Sequence, residues 1–249
     1  MLSIWSKRGL GSVLLAFLMA GCGQKNDVTQ PVETGVTGAD IIAADEHPDA
    51  WLSHGRNYAE DRFSPLDQVT TDNANNLGLA WSFDLGTSRG IEVTPIVHDG
   101  VMYVMGTWNV VYALDARTGE ELWRYDPEVD RSRAAYMCCD VVNRGVAIWG
   151  NKIITGTIDG RLIAIDAATG EQVWDVLTVD LSRPYSITGA PRIVKGKVII
   201  GNGGAELGVR GYVTACDAQT GEQAWRFYTV PGNPQDGFET SFMEEVAST

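Results

Sequence analysis

Two short stretches of this 249-residue sequence concentrate the side chains whose types and spacing could do chemistry. The first is Cys138-Cys139-Asp140-Val141-Val142-Asn143-Arg144-Gly145. Adjacent cysteines are poorly placed to bond, because Cα atoms across a trans peptide lie about 3.8 Å apart, below the ~4.4–6.8 Å usual for a disulfide. Joining them strains the peptide and tightens the turn, so such a pair is rarely only a staple; two free or differently paired thiols are the plain alternative. Arg144 brings a planar fork that can bind a carboxylate bidentately. The second stretch, Gly201-Asn202-Gly203-Gly204-Ala205-Glu206-Leu207-Gly208-Val209-Arg210-Gly211, is glycine-rich with one carboxylate. Such a backbone permits close approach of a flat ligand, and a lone carboxylate suits a hard cation such as calcium. Glu206 replaces the third glycine of a Gly-x-Gly-x-x-Gly pattern, where its charge would repel a pyrophosphate, so this is no dinucleotide loop. The plain alternative is a flexible hairpin with a surface glutamate.

The other candidate ligands do not group. No Cys-x-x-Cys or Cys-x-x-Cys-His occurs, so neither a zinc knuckle nor a covalent haem is encoded. Cys216 sits in a β-rich run and reads as a buried apolar filler. His47, His54 and His98 show no ligand spacing and read as ordinary surface or loop residues. The 19 basic and 32 acidic residues give a net charge of −13, which repels phosphate backbones and argues against nucleic-acid partners.

The elements that must position these groups are announced by a repeat. The pattern Ala-x-Asp-x-x-Thr-Gly-x-x-x-Trp runs from Ala113 to Trp123, from Ala164 to Trp174 and from Ala215 to Trp225, at a constant spacing of 51 residues. Trp81 ends an earlier, degenerate copy. Within each copy a β-rich run (Val110–Leu114, Leu162–Ile165, Tyr212–Ala215) enters Asp-x-x-Thr-Gly, a turn whose Asp and Thr can bond nearby amides and whose Gly accepts positive φ. A second β-rich run precedes each: Val101–Val104, Lys152–Thr155 and Lys197–Ile200. About four short strands per period is the signature of a propeller blade, so the fold class is all-β, a partial β-propeller. The tryptophan is large enough to plug the gap between blades. Val101 to Trp123 and Lys152 to Trp174 each span 22 positions, whereas Lys197 to Trp225 spans 28. The six extra residues fall in the segment that carries Glu206.

The N-terminal residues lie outside this pattern. Lys7 and Arg8 precede an apolar run from Gly9 to Met19, too short for a stable membrane anchor, which ends in Leu18-Met19-Ala20-Gly21-Cys22. Residues 1–22 are expected to be an export signal resembling a lipobox, with Cys22 lipidated. Residues 23–38 read as a flexible tether, and residues 39–249 as the propeller domain. Export implies an oxidising, periplasmic compartment.

The Trp-containing repeat resembles the tryptophan-docking motif of quinoprotein dehydrogenases, which use pyrroloquinoline quinone (PQQ) on an eight-bladed propeller. Cys-Cys-Asp-x-Val-Asn-Arg-Gly is similar to that family's adjacent-cysteine disulfide loop. The resemblance implies that Cys138 and Cys139 are disulfide-bonded and pack against one face of the quinone, while Arg144 pairs with a cofactor carboxylate. Gly-Ala-Glu-Leu-Gly-Val-Arg-Gly is similar to the family segment lining the quinone pocket, which implies Glu206 as a metal ligand and backbone contacts from Gly203, Gly204 and Ala205. By their surroundings Glu92 and Thr188 match cofactor-binding positions. The implied activity is oxidation of a primary alcohol to an aldehyde, with calcium (or a lanthanide) as Lewis acid and a periplasmic cytochrome or other acceptor taking the electrons. The family's catalytic aspartate, an asparagine metal ligand and the tryptophan under the quinone correspond to segments beyond Thr249, so this chain is expected to be an inactive fragment holding half of the site. A lipid-anchored scaffold propeller in outer-membrane assembly is the alternative, and a sugar dehydrogenase with the same cofactor a further one. A scaffold has no need of the cysteine pair or the Glu206 insertion.

Overall fold

A computed structural model describes residues 35–248. The expected signal, Cys22 and most of the expected tether fall outside that range. Twelve strands form three four-stranded antiparallel meanders in chain order. The first holds β1 (Ile96–His98), β2 (Val101–Met105), β3 (Val111–Asp115) and β4 (Glu121–Tyr125). The second holds β5 (Ala147–Trp149), β6 (Lys152–Gly156), β7 (Arg161–Asp166) and β8 (Gln172–Leu177), and the third β9 (Arg192–Val194), β10 (Lys197–Gly201), β11 (Tyr212–Asp217) and β12 (Gln223–Tyr228). These are three blades of a β-propeller. All six β-rich runs read from the sequence became strands, with ends moved by a residue or two.

Burial marks the outer edge of each blade. The middle strands β3, β7 and β11 are mostly buried, whereas β4, β8 and β12 hold no buried residue. Adjacent blades share apolar cores. Between the second and third, Trp149, Ile154 and Leu162 pack with Ile193, Val198 and Cys216, each large apolar side chain contributing about 1.5–3 kcal/mol by burial. Cys216 is 2% exposed, and burial pushes its thiol pKa up, so it fills space as expected.

The repeat works as a docking device. Trp123 Nε1 donates to the Ala167 carbonyl of the next blade at 3.0 Å, and Trp174 Nε1 to that of Ala218 at 3.3 Å. Trp81 makes the same bond to Ala116 at 3.2 Å although its own segment forms no strand. The ring lies against the glycine of the receiving turn: a Cβ on Gly170, whose φ is +76°, would stand 2.8 Å from the Trp123 ring. That glycine is therefore needed twice, for its backbone and for the ring above it. The aspartate of each turn accepts from the turn's own amides, as Asp166 Oδ1 does from Ala168 N at 3.0 Å and Thr169 N at 2.9 Å.

Packed structure begins earlier than the expected boundary at residue 38. Val36 is 2% exposed and bridges Gly150, and Thr37 caps a short helix α1 (Gly38–Ile42). The boundary therefore moves to Val36 or before, because Val36 is apolar and fills the inter-blade core that Ile148 and Ile153 line. A second helix, α2 (Ser241–Ala247), follows the third blade. Among the described residues no helix is long and apolar enough to cross a membrane.

Candidate functional site

In an antiparallel meander all β1–β2 and β3–β4 type turns lie at one end of the blade, and all β2–β3 type loops and blade-to-blade connections at the other. The candidate residues fall at this second end. Glu92 lies four residues before β1, Arg144 three before β5 and Thr188 four before β9, so they occupy equivalent places in three successive blades. Their backbones form a ladder around the propeller: Arg144 N donates to the Thr188 carbonyl at 3.0 Å, and Thr94 N to that of Arg144 at 3.1 Å. Arg144 Nη2 meets Glu92 Oε2 at 3.1 Å and Nη1 donates to the Thr188 carbonyl at 3.2 Å. Both charged side chains of the Glu92–Arg144 pair stay about two-fifths exposed. An ion pair this open adds at most ~1 kcal/mol of stability, so its position makes it notable.

Arg144, Thr188, Gly189, Ala190, Asn202 and Gly203 line a cleft of about 430 Å³. The six-residue insertion forms one wall. Gly203 exchanges backbone bonds with Ser186, donating to its carbonyl at 2.7 Å and accepting at 3.4 Å. A Cβ on Gly203 would meet Ser186 Oγ at 2.8 Å, so a side chain there would require that hydroxyl to turn away. Gly204, at φ +102°, turns the chain into the 3₁₀ turn Ala205–Leu207, which leaves Ala205 and Glu206 exposed. Among the described residues no three His, Cys, Asp or Glu side chains gather as a metal cage.

The adjacent cysteines are exposed, with their sulfurs 2.7 Å apart. The resemblance implies a disulfide here, and the two sulfurs lie side by side. The Cys139 thiol and, to a lesser degree, the charge of Glu206 push the Cys138 pKa up, which places Glu206 in the electrostatic neighbourhood of the pair. Asp140, at φ +76°, accepts from Val141 N at 2.8 Å and pairs with Arg89. The Val141 amide, followed by Arg89, holds its carboxyl below the ordinary range, and both bonds anchor the loop. Beneath, Asn143 (3% exposed) donates to the Gly156 carbonyl at 2.9 Å and its oxygen accepts from Gly145 N at 2.9 Å. Asn109, 1% exposed, donates to the same carbonyl at 3.3 Å and accepts from Ile158 N at 2.9 Å.

These two asparagines, with Arg89, were missed by the sequence reading. Asn143 stood inside the quoted cysteine motif, after two valines. Asn109 and Arg89 gave no signal, because their partners belong to other segments. Of the three histidines, His54 does more than decorate a loop: its Nε2 lies 2.6 Å from Arg62, and burial, with the charges of Arg192 and Arg62, pushes its pKa down.

Blades built on docked tryptophans, with a cleft at the mouth of their inner strands, define the class. The chain belongs to the PQQ family described as the glucose/ethanol/alcohol dehydrogenase β-propeller domain, whose model matches residues 51–247. It is 59% identical over 215 residues to the quinohemoprotein alcohol dehydrogenase ADH IIB of Pseudomonas putida, covering 86% of this chain and 31% of that one. It is 56% identical over 200 residues to a 1-butanol dehydrogenase (cytochrome c) of Thauera butanivorans, covering 80% and 29%. The solved structure of quinohemoprotein alcohol dehydrogenase ADHIIG from Pseudomonas putida superposes with a TM-score of 0.84 at 58% identity, over 88% of this chain and 32% of that one. The chain thus spans under a third of the length of these relatives.

Proposed function

We propose that these blades carry one side of the quinone site of a PQQ-dependent alcohol dehydrogenase, an exported enzyme that oxidises primary alcohols to aldehydes and passes electrons to a cytochrome or other periplasmic acceptor. The observation that carries this reading is the convergence of Arg144 and Thr188 from two consecutive blades on one cleft walled by Gly203, with Glu92 of the preceding blade paired to Arg144.

The donor set fits a flat, carboxylate-bearing ring. Arg144 offers a guanidinium already oriented by Glu92 and by the Thr188 carbonyl, with donors left for a carboxylate. Thr188 lines the cleft with a hydroxyl, and the bare Gly189 and Gly203 backbones let a planar group lie close. Cys138 and Cys139 would cover one face of the ring, as a disulfide once the exported protein is oxidised, and Gly204 and Ala205 would contribute backbone groups. Glu206, exposed and acidic, would supply one oxygen ligand of calcium or a lanthanide. Bound there, quinone and cation together supply the two-electron acceptor and the Lewis acid, and the protein orients both. The periplasmic location, with a lipid anchor on Cys22, belongs to the same reading and rests on the export-type N-terminus alone.

The test is a titration of the protein with PQQ in the presence of calcium, followed by quinone absorbance. Wild type should bind; Arg144→Ala should weaken binding at least 10-fold with little change in melting temperature; Glu206→Ala should remove its calcium dependence. Binding unaffected by both substitutions would overturn the assignment.

A further inference from the structure

Arg133 lies five residues before Cys138, in the 3₁₀ segment Arg131–Tyr136, and is 7% exposed. A buried guanidinium is costly unless its donors are met; Arg133 Nε has no partner, and the two terminal nitrogens make all of its bonds. Its Nη1 donates to the Leu181 carbonyl at 3.1 Å, and its Nη2 to those of Arg183 at 2.8 Å and Tyr185 at 3.2 Å. All three acceptors belong to the next blade-to-blade connection. That connection runs directly into Ser186, the backbone partner of Gly203, and then to Thr188. Arg183 Nη2 in turn donates to the Gly208 carbonyl at 3.0 Å, and the Tyr185 hydroxyl to that of Arg210 at 3.1 Å. Residues 181–186 are thus gripped on one side by Arg133 and on the other by the loop that carries Glu206.

We infer that Arg133 is a positioning residue: it fixes the loop of adjacent cysteines against the wall formed by Thr188, Gly203 and Glu206. The inference rests on the quinone site proposed above. Two loops from different blades share no strand, so their separation rests on point contacts such as Arg144–Thr188 and those of Arg133, and a flat ligand between them needs that separation constant. A guanidinium can reach three diverging carbonyls at once because its donors are spread over a rigid plane; an ammonium is a single point. Arg56 provides an internal standard. It is also buried, at 1% exposure, but its bonds to Asp45 (2.7 Å) and the Ala44 carbonyl (2.6 Å) stay within residues 44–56.

The experiment uses the full chain with Arg133→Gln, Arg133→Lys and Arg56→Gln, well below the melting temperature of each. Two quantities are read: PQQ affinity with calcium, and the rate at which iodoacetamide modifies Cys138 and Cys139 after mild reduction, mapped by mass spectrometry. Arg133→Gln should weaken quinone binding at least 10-fold and change the labelling rate at least 3-fold, with Arg133→Lys intermediate in both. Arg56→Gln should lower the melting temperature and change neither. If either quantity in Arg133→Gln stays at the wild-type value, or Arg56→Gln reproduces both changes, the inference is overturned. Should Arg133→Gln not fold, Arg133→Lys decides by the same two readouts. If wild type binds no quinone, the functional reading falls by itself, and labelling alone then judges Arg133, an unchanged rate overturning it.

Discussion

The two ends of the three blades are built on different principles. At one end every blade repeats the same closed device. The Asp-x-x-Thr-Gly turn satisfies its own amides, receives a tryptophan from the preceding segment, and is tied to the neighbouring inner turn through Ala116 N, Ala167 N and Ala218 N, which donate to the carbonyls of Gly100, Asn151 and Gly196 at 2.8, 2.8 and 2.9 Å. At the other end the loops differ in sequence and contacts, and the third blade carries the insertion. There the connections carry half-exposed charges, left-handed residues such as Asp140 and Gly204, and side chains bonded to backbone of other blades. The contrast teaches a division of labour. Identical, self-satisfied turns hold the blades together, which frees the opposite loops to diverge and to carry chemistry.

The largest effect that can break this division is at Gly170. Gly170→Ala forces a side chain into a left-handed turn and against the Trp123 ring, costing about 3 kcal/mol from backbone strain and overpacking together. Urea denaturation checks this, and a loss under about 1 kcal/mol would show that the repeating end is not the structural one. The comparison sharpens within the repeat itself. Trp123→Ala empties a docked position and should cost about 3 kcal/mol. Trp225, which is 46% exposed, should cost under about 1 kcal/mol when changed in the same way. Equal losses would mean that the tryptophans act within their own blades and not between them.

The smallest effect lies at the diverging end. Arg210 holds the Glu239 carboxyl down to about 2 from its ordinary value, through bonds from both terminal nitrogens. A folded pKa below the unfolded one, about 4.3, makes the pair favour the folded state above that pH. The contribution fades as pH falls from about 4 toward 2. Carboxylate carbon chemical shifts should follow Glu239 with a midpoint near 2 in wild type and near 4 in Arg210→Gln; the same midpoint in both proteins would refute the pairing.

Legibility in the sequence followed the same division. The tryptophan spacing gave the blades, the turns and the two middle strands of each blade, because each repeat solves the same local problem with the same residues; the short innermost strands were not named. Trp81 was readable as a degenerate copy, and it docks like the others without a strand of its own. The insertion at Glu206 was found only because the repeat supplied a ruler. Glu92, Arg144 and Thr188 were named by likeness, and their common place before each inner strand could have been noticed by the same measure. Arg133 and Asn109 left no trace, since a hydrogen bond to a distant carbonyl is not written in any residue's neighbours.

The adjacent cysteines and the Glu206 insertion were therefore set by the sequence itself, together with the three-blade frame: they depend on spacing and on local turn chemistry, which a chain carries residue by residue. What only the tertiary structure decided is how far apart they stand. That Arg144 lies between Glu92 and the Thr188 carbonyl, and that Arg133 spans from one connection to the next, follows from the stacking of blades around an axis. Blade stacking brings residues about forty to fifty positions apart into contact, and no periodicity in the chain records which loop ends will meet.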